Sequence, residues 1–157
     1  TAQLKAGNGN SGLLVSEVKK QMEEAAAGEK LAVIDGSPGI GCPVIASLAG
    51  VDLVLIVAEP SLSGLSDLGR VVETARIFRT TLAVCVNKWD LDPQKTEEIE
   101  TFCVREDIPL LGSIPFDSAV IDAVNAGKSI LGNTEKAGPA IQEIAEQALK
   151  LLLEGEK

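Results

Sequence analysis

Apolar residues in this chain follow two alternating patterns. Short, mainly apolar runs occupy residues 31–35, 52–58, 82–86 and 109–114, and between them apolar positions recur every three or four residues. Runs of this length, apolar on both faces, predict buried strands. Leu14, Val18 and Met22, with Ala25 and Ala26, predict an amphipathic helix that leaves Glu17, Lys20, Gln21 and Glu24 on other faces and stops at Gly28. Leu65, Leu68, Val72 and Ala75 mark a second helix. Asp92-Pro93 provides an N-cap and first helical position for a third, running through Ile99, Phe102 and Cys103. Asp117 caps a short helix ending near Gly127. Ile141, Ile144, Ala145, Ala148, Leu149 and Leu152 give a closing helix one apolar face. Buried strands alternating with helices predict an α/β fold, a parallel doubly wound sheet with helices on both faces, formed by residues 1–157 as a single domain. Ligands of such sheets bind beyond the carboxyl ends of the strands, which directs attention to the loops after Ile34, Ala58, Val86 and Ile114.

Composition narrows the chemistry. The 157 residues are 45% hydrophobic and 24% charged, the content of one ordinary domain, and no apolar stretch reaches the length of about 18 residues that a membrane span needs. The expected location is cytoplasmic. A net charge of −9, from 23 acidic and 14 basic residues, argues against nucleic acid as a partner. There is no histidine, so Ser-His-Asp and Cys-His catalysis are excluded. Cys42, Cys85 and Cys103 lie far apart without a C-x-x-C pair, too few soft ligands for a zinc or iron–sulfur site in this chain. Carboxylates, lysines, backbone amides or a bound ion remain.

Two glycine motifs are decoys. Gly7-Asn-Gly-Asn-Ser-Gly12 matches a dinucleotide fingerprint, but residues 1–6 are too short and polar to be the buried strand that must feed it. Gly127-Lys-Ser129 suggests a Walker A loop. Asp122 stands where its first glycine belongs, however, and the triplet follows a helix, so Gly127 reads as a helix C-cap.

Three other loops carry more information. Asp35 ends the first run and precedes Gly36-Ser-Pro-Gly-Ile-Gly-Cys42; such a carboxylate can hold the water shell of Mg²⁺, and glycine-rich backbone can present N–H groups to a phosphate. The same residues would also make a tight turn with Asp35 as a cap. Val86-Asn-Lys-Trp-Asp90 follows the third run, where the Asn87 amide can meet both a donor and an acceptor of a purine edge and the Lys88 stem can brace the loop. Ile114-Pro-Phe-Asp117 follows the fourth, where main-chain groups can read a base and Asp117 can cap the next helix.

Taken in order, residues 35–43, Glu59-Pro-Ser-Leu-Ser-Gly-Leu-Ser-Asp-Leu68, Val86-Asn-Lys-Trp-Asp-Leu91 and Gly112-Ser-Ile-Pro-Phe-Asp117 resemble MinD/ParA-type P-loop ATPases, especially the branch with an inserted ferredoxin-like domain. The resemblance covers nearly the whole chain. It implies that Asp35 is the Walker B acid, holding Mg²⁺ through water, and that Gly39 is the γ-phosphate-sensing glycine. It also implies that Asn87, Lys88, Pro115, Phe116 and Asp117 form the adenine site and that Glu59-Pro60 starts a loop beneath the P-loop edge. The family's P-loop lysine, its catalytic aspartate switch and its cysteine-rich insert have no counterpart here. The resemblance therefore implies a C-terminal portion of a nucleotide-binding domain, inactive alone. The intact protein would bind ATP and Mg²⁺, carry any iron–sulfur cluster in the insert, act as a homodimer, and serve a metal- or redox-protein partner. A missing P-loop strand would leave neighbouring strand edges to be closed up or paired between chains.

Three alternatives stand beside this ATP-driven switch: an ATP-dependent amide synthase of the cobyrinate a,c-diamide type, a GTPase, and a non-catalytic assembly module. N-K-x-D is also the guanine-reading motif of GTPases, so Asp90 makes GTP a competitor. Against it, Asp35 and Gly39 are spaced one residue wider than the GTPase D-x-x-G, and the Ile114-Pro-Phe-Asp117 turn resembles the adenine-contacting segment of the MinD/ParA family, in which Asp90 would have little to do.

Overall fold

The computed structural model describes residues 11–26, 28–36 and 41–154. They fall into two compact units, one of residues up to Val51 with Arg70–Thr80, the other of Asp52–Gly69 with residues from Thr81 onward.

In the first unit, α1 (Ser11–Ala25) packs on α2 (Cys42–Leu48). Leu14, Val18 and Met22 are half-buried, as their spacing predicts, whereas Ala25 is exposed. The hydrophobic pattern did not single out α2, which has only seven residues; Pro43 in its first turn preforms the helical φ, and Val44, Ser47 and Leu48 are buried. Lys19 is buried too. Its Nζ donates to the carbonyls of Ser47, at 3.3 Å, and Ala49, so a cation satisfies acceptors at the C-terminal end of α2.

Residues 31–36 correct the sequence reading. They form no strand, and Leu31 and Val33 are 49% and 84% exposed. The run has the composition of a buried strand but no ladder partner among the described residues. An apolar run specifies that a segment can be buried in a sheet; it cannot supply the neighbour.

The second unit holds the sheet. Strands β1 (Leu53–Ala58), β2 (Thr81–Asn87) and β3 (Leu110–Ile114) run parallel in that spatial order. Residues of β2 alternate between the two faces. Ala83 and Cys85 pack with Leu111 and with Ile144 of α6 (Ala137–Glu154), joined by Leu53, Leu55, Ile114, Ala148 and Leu151. Val84 and Val86 lie on the opposite face and are fully buried; α4 (Pro93–Arg105), whose Ile99 and Cys103 are buried, contacts β2. The apolar face of α6 is offset from the one expected, because Ala145 and Leu149 are exposed and Leu151 is half-buried. The remaining helices are α3 (Leu62–Ile77), in which Leu68, Val72 and Ala75 are buried, and α5 (Ser118–Asn125).

Gly112 sets how closely α6 approaches. The register slips between Val84, paired with Leu110, and Cys85, paired with Gly112, and Gly112 takes φ +148°. A Cβ there would lie 2.9 Å from Ile144 Cγ1, so the bulge and the helix contact both require glycine.

Candidate functional site

Because the three strands are parallel, their carboxyl ends share one edge; Glu59 and Pro115 directly follow β1 and β3, and Asn87 is the last residue of β2. Glu59 leads into α3 through a tight turn: Ser61 N–H donates to the Glu59 carbonyl at 2.9 Å, and Gly64 N–H donates to Ser61 Oγ at 3.0 Å. A Cβ on Gly64 would overlap the Glu59 carbonyl, so the turn closes only around glycine. The Glu59 carboxylate reaches across to the loop after β2, where Lys88 Nζ lies 2.7 Å from Oε1 and Asn87 Nδ2 lies 3.4 Å from the same atom. Both members of the ion pair are partly solvated, at 40% and 52% side-chain exposure, so the pair orients the loop more than it stabilises the fold.

The 87–92 turn is held at several points. Lys88 adopts the left-handed conformation, φ +56°, and caps a single 3₁₀ turn, Trp89–Leu91. Thr96, buried in α4, donates its hydroxyl to the Trp89 carbonyl at 2.8 Å. Asp92 caps α4 by accepting from Lys95 N–H at 3.0 Å, as the Asp92-Pro93 pair predicts. Asp90 turns toward the third loop, and its Oδ1 accepts the Phe116 N–H at 2.6 Å.

The loop after β3 is anchored by Asp117. Its Oδ1 accepts from Ala119 N–H at 3.0 Å, capping α5, and its Oδ2 accepts from Ala137 N–H at 3.3 Å and Lys136 N–H at 3.4 Å, at the start of α6. The bond from Ala119 leads in holding the carboxyl below its ordinary range, against a small desolvation penalty; the Ala137 and Lys136 amides and the Lys136 charge add to it. One carboxylate thus serves two helix N-termini. Phe116 is 41% exposed.

The predicted site residues therefore divide. Glu59, Asn87, Lys88, Phe116 and Asp117 belong to a group of loops tied together by side-chain hydrogen bonds along one sheet edge, with Pro115 in the same turn. Asp35 belongs to the other unit, where it is exposed near the end of the irregular 31–36 segment. Gly39 lies outside the described residues, as does Gly7 with most of its glycine motif. Gly127 takes φ +64° just past α5, with its N–H on the Val124 carbonyl and the Lys128 N–H on that of Ala123, which is the helix-capping role read from the sequence. The bracing roles of Thr96 and Lys19 were not foreseen; their side chains act on distant carbonyls, which no local spacing announces.

Two buried thiols take no part. Burial pushes Cys85 up to about 11, and burial followed by the Glu100 charge raises Cys103. Among the described residues no group of three histidine, cysteine, aspartate or glutamate side chains is placed to hold a metal. A groove of about 740 Å³ between α3 and α4, lined by Leu62, Leu65, Gly69, Thr101 and Phe102, includes none of the edge residues.

Comparison with solved structures shows the fold. MinD from Aquifex aeolicus superposes with a TM-score of 0.72 at 22% identity, over 87% of this chain and 61% of that one. The cell division ATPase MinD of Pyrococcus furiosus gives 0.68 at 21% identity, over 87% and 57%. The chain thus has the α/β fold of MinD/ParA-type P-loop ATPases. In sequence, it is 28% identical over 145 residues to uncharacterized protein MJ0578 of Methanocaldococcus jannaschii, covering 92% of this chain and 48% of that protein. A 79-residue stretch, 50% of this chain and 25% of the relative, is 32% identical to the cytosolic Fe-S cluster assembly factor Nubp1 homolog of Drosophila grimshawi. The chain spans half or less of the curated relatives it matches. No family model matches it.

Proposed function

We propose that this chain is the base-binding and sensing part of an ATP-dependent switch of the MinD/ParA type, whose nucleotide cycle drives the handling of iron–sulfur or other metal centres. The observation that carries the reading is the set of three loops fastened to one another at the carboxyl edge of a parallel sheet with this fold. The similarity to an Fe-S cluster assembly factor supports the cargo.

In this reading the Asn87 amide and the main chain of the Pro115–Asp117 turn hold adenine, and Lys88, paired with Glu59, keeps the Asn87 backbone in place. Asp117 shapes the turn through its caps. The donor set suits a hydrated Mg²⁺ rather than a stripped one: Asp35 is exposed and, among the described residues, belongs to no group of three acidic or thiol side chains, so it would hold the ion through water. When bound, Mg²⁺ would neutralise the phosphate charge. Gly39 would sense the γ-phosphate. The P-loop lysine and most phosphate contacts would come from outside residues 1–157, so this portion alone binds ATP weakly and does not hydrolyse it. The working unit is a homodimer that acts on a metal- or redox-protein partner.

The test uses the full-length protein. Asp35→Ala abolishes ATP hydrolysis with the circular dichroism spectrum unchanged, and Asn87→Ala weakens ATP binding about tenfold. Hydrolysis that survives Asp35→Ala would reduce Asp35 to a turn residue. A full-length protein that neither binds nor hydrolyses nucleotide would be an assembly module.

A further inference from the structure

The N-K-x-D segment leaves one residue without a function in an adenine site. We propose that Asp90 is a positioning residue which fastens the two base loops together and, in doing so, withdraws the acceptor that guanine would need. This rests on the base-binding reading above.

Guanine presents two adjacent donors, N1–H and the N2 amino group, and a carboxylate reads them by aligning both oxygens with that edge. In this protein Asp90 Oδ1 accepts the Phe116 N–H at 2.6 Å, which turns the carboxylate toward the 114–117 loop. An oxygen can accept twice, but it cannot stay on the Phe116 amide and swing its plane onto a base. The neighbours of Asp90 restrict that swing. Lys88 is tied to Glu59 at 2.7 Å, the Trp89 carbonyl to Thr96 at 2.8 Å, and Leu91 N–H to the Lys88 carbonyl at 3.1 Å. Adenine offers no donor pair at that edge, so it loses nothing when Asp90 is occupied. It gains a Phe116 turn already held in register with Asn87, which lowers the ordering cost of binding. The same four-residue motif can thus read guanine or support an adenine site, according to whether its aspartate is free or spent on a neighbouring loop.

The experiment measures Mg·ATP and Mg·GTP affinities of the full-length protein and its Asp90→Ala and Asp90→Asn variants, together with hydrogen exchange at the Phe116 amide. The parent prefers ATP. Asp90→Ala weakens ATP about five- to tenfold, speeds Phe116 exchange by a similar factor and makes GTP no tighter. Asp90→Asn keeps an oxygen acceptor for Phe116 and stays within about threefold of the parent for ATP. Unchanged Phe116 exchange and ATP affinity in Asp90→Ala would overturn the fastening role, as would a parent that prefers GTP and loses that preference in both variants. If neither nucleotide bound the parent, the base-site reading would fall and the specificity role with it. The Phe116 exchange rate would then still show whether Asp90 joins the loops.

Discussion

Gly112→Ala tests how the sheet, the closing helix and the third loop depend on one another. Two costs add at this position. Alanine must adopt φ +148°, a region nearly reserved for glycine, at about 1–3 kcal/mol. Its Cβ would also sit 2.9 Å from Ile144 Cγ1 and 3.5 Å from Cδ1, and such overpacking costs about 1–3 kcal/mol. The sum, roughly 2–6 kcal/mol, is a large part of the stability of a domain this size. Urea denaturation followed by circular dichroism should show a midpoint shift of that size with an unchanged slope. A cycle with Ile144→Ala separates the two costs. Removing Cγ1 and Cδ1 relieves the clash but not the backbone strain, so the double variant should be more stable than the sum of the singles by about 1 kcal/mol or more. Additive effects would place the whole cost in the backbone. A Gly112→Ala protein within about 0.5 kcal/mol of the parent would refute the tight β3–α6 contact and the bulge.

Two further outcomes follow from the titrating groups. Cys85 is raised from its ordinary 9.0 to about 11, so the stability linked to its buried neutral thiol is complete below 9.0 and lost as pH rises toward 11, roughly 2–3 kcal/mol in all; denaturation at pH 8 and pH 10.5 should show the loss, and Cys85→Ala should lack it. The lowered Asp117 carboxyl works in the opposite direction: its contribution is complete above the ordinary 3.8 and drains as pH falls through the lower folded value, so Asp117→Asn should flatten the acid limb of the stability profile, and an unaltered limb would deny the caps their charge.

Much of the second unit was legible because its signals are local. The 82–86 run became β2, Asp92 and Asp117 cap the helices they precede, and Leu65 and Leu68, three positions apart, mark the inward side of α3 in this unit. The 31–35 run failed because strand formation depends on a partner, which composition does not encode. The apolar side of α6 was misplaced because Leu149 and Leu151 are equally hydrophobic, and only the packing of Leu151 against the Ala83–Cys85–Leu111–Ile144 cluster tells them apart. At the candidate site the motif order named the loops but not their fastenings. That the Glu59 carboxylate holds the Lys88 side chain and the Asp90 carboxylate holds the Phe116 amide depends on groups meeting over 26 to 29 positions of sequence, a relation set by strand order.

The central claim is that these fastened loops bind a nucleotide base, and amide chemical-shift mapping of residues 1–157 titrated with Mg·ATP tests it most directly. The account predicts weak, roughly millimolar binding, with shifts concentrated at Asn87–Leu91 and at Phe116 and Asp117, reproduced by adenosine and removed by Asn87→Ala. Shifts gathered instead in the α3–α4 groove around Leu65 and Phe102, or none at either loop at saturating nucleotide, would contradict it.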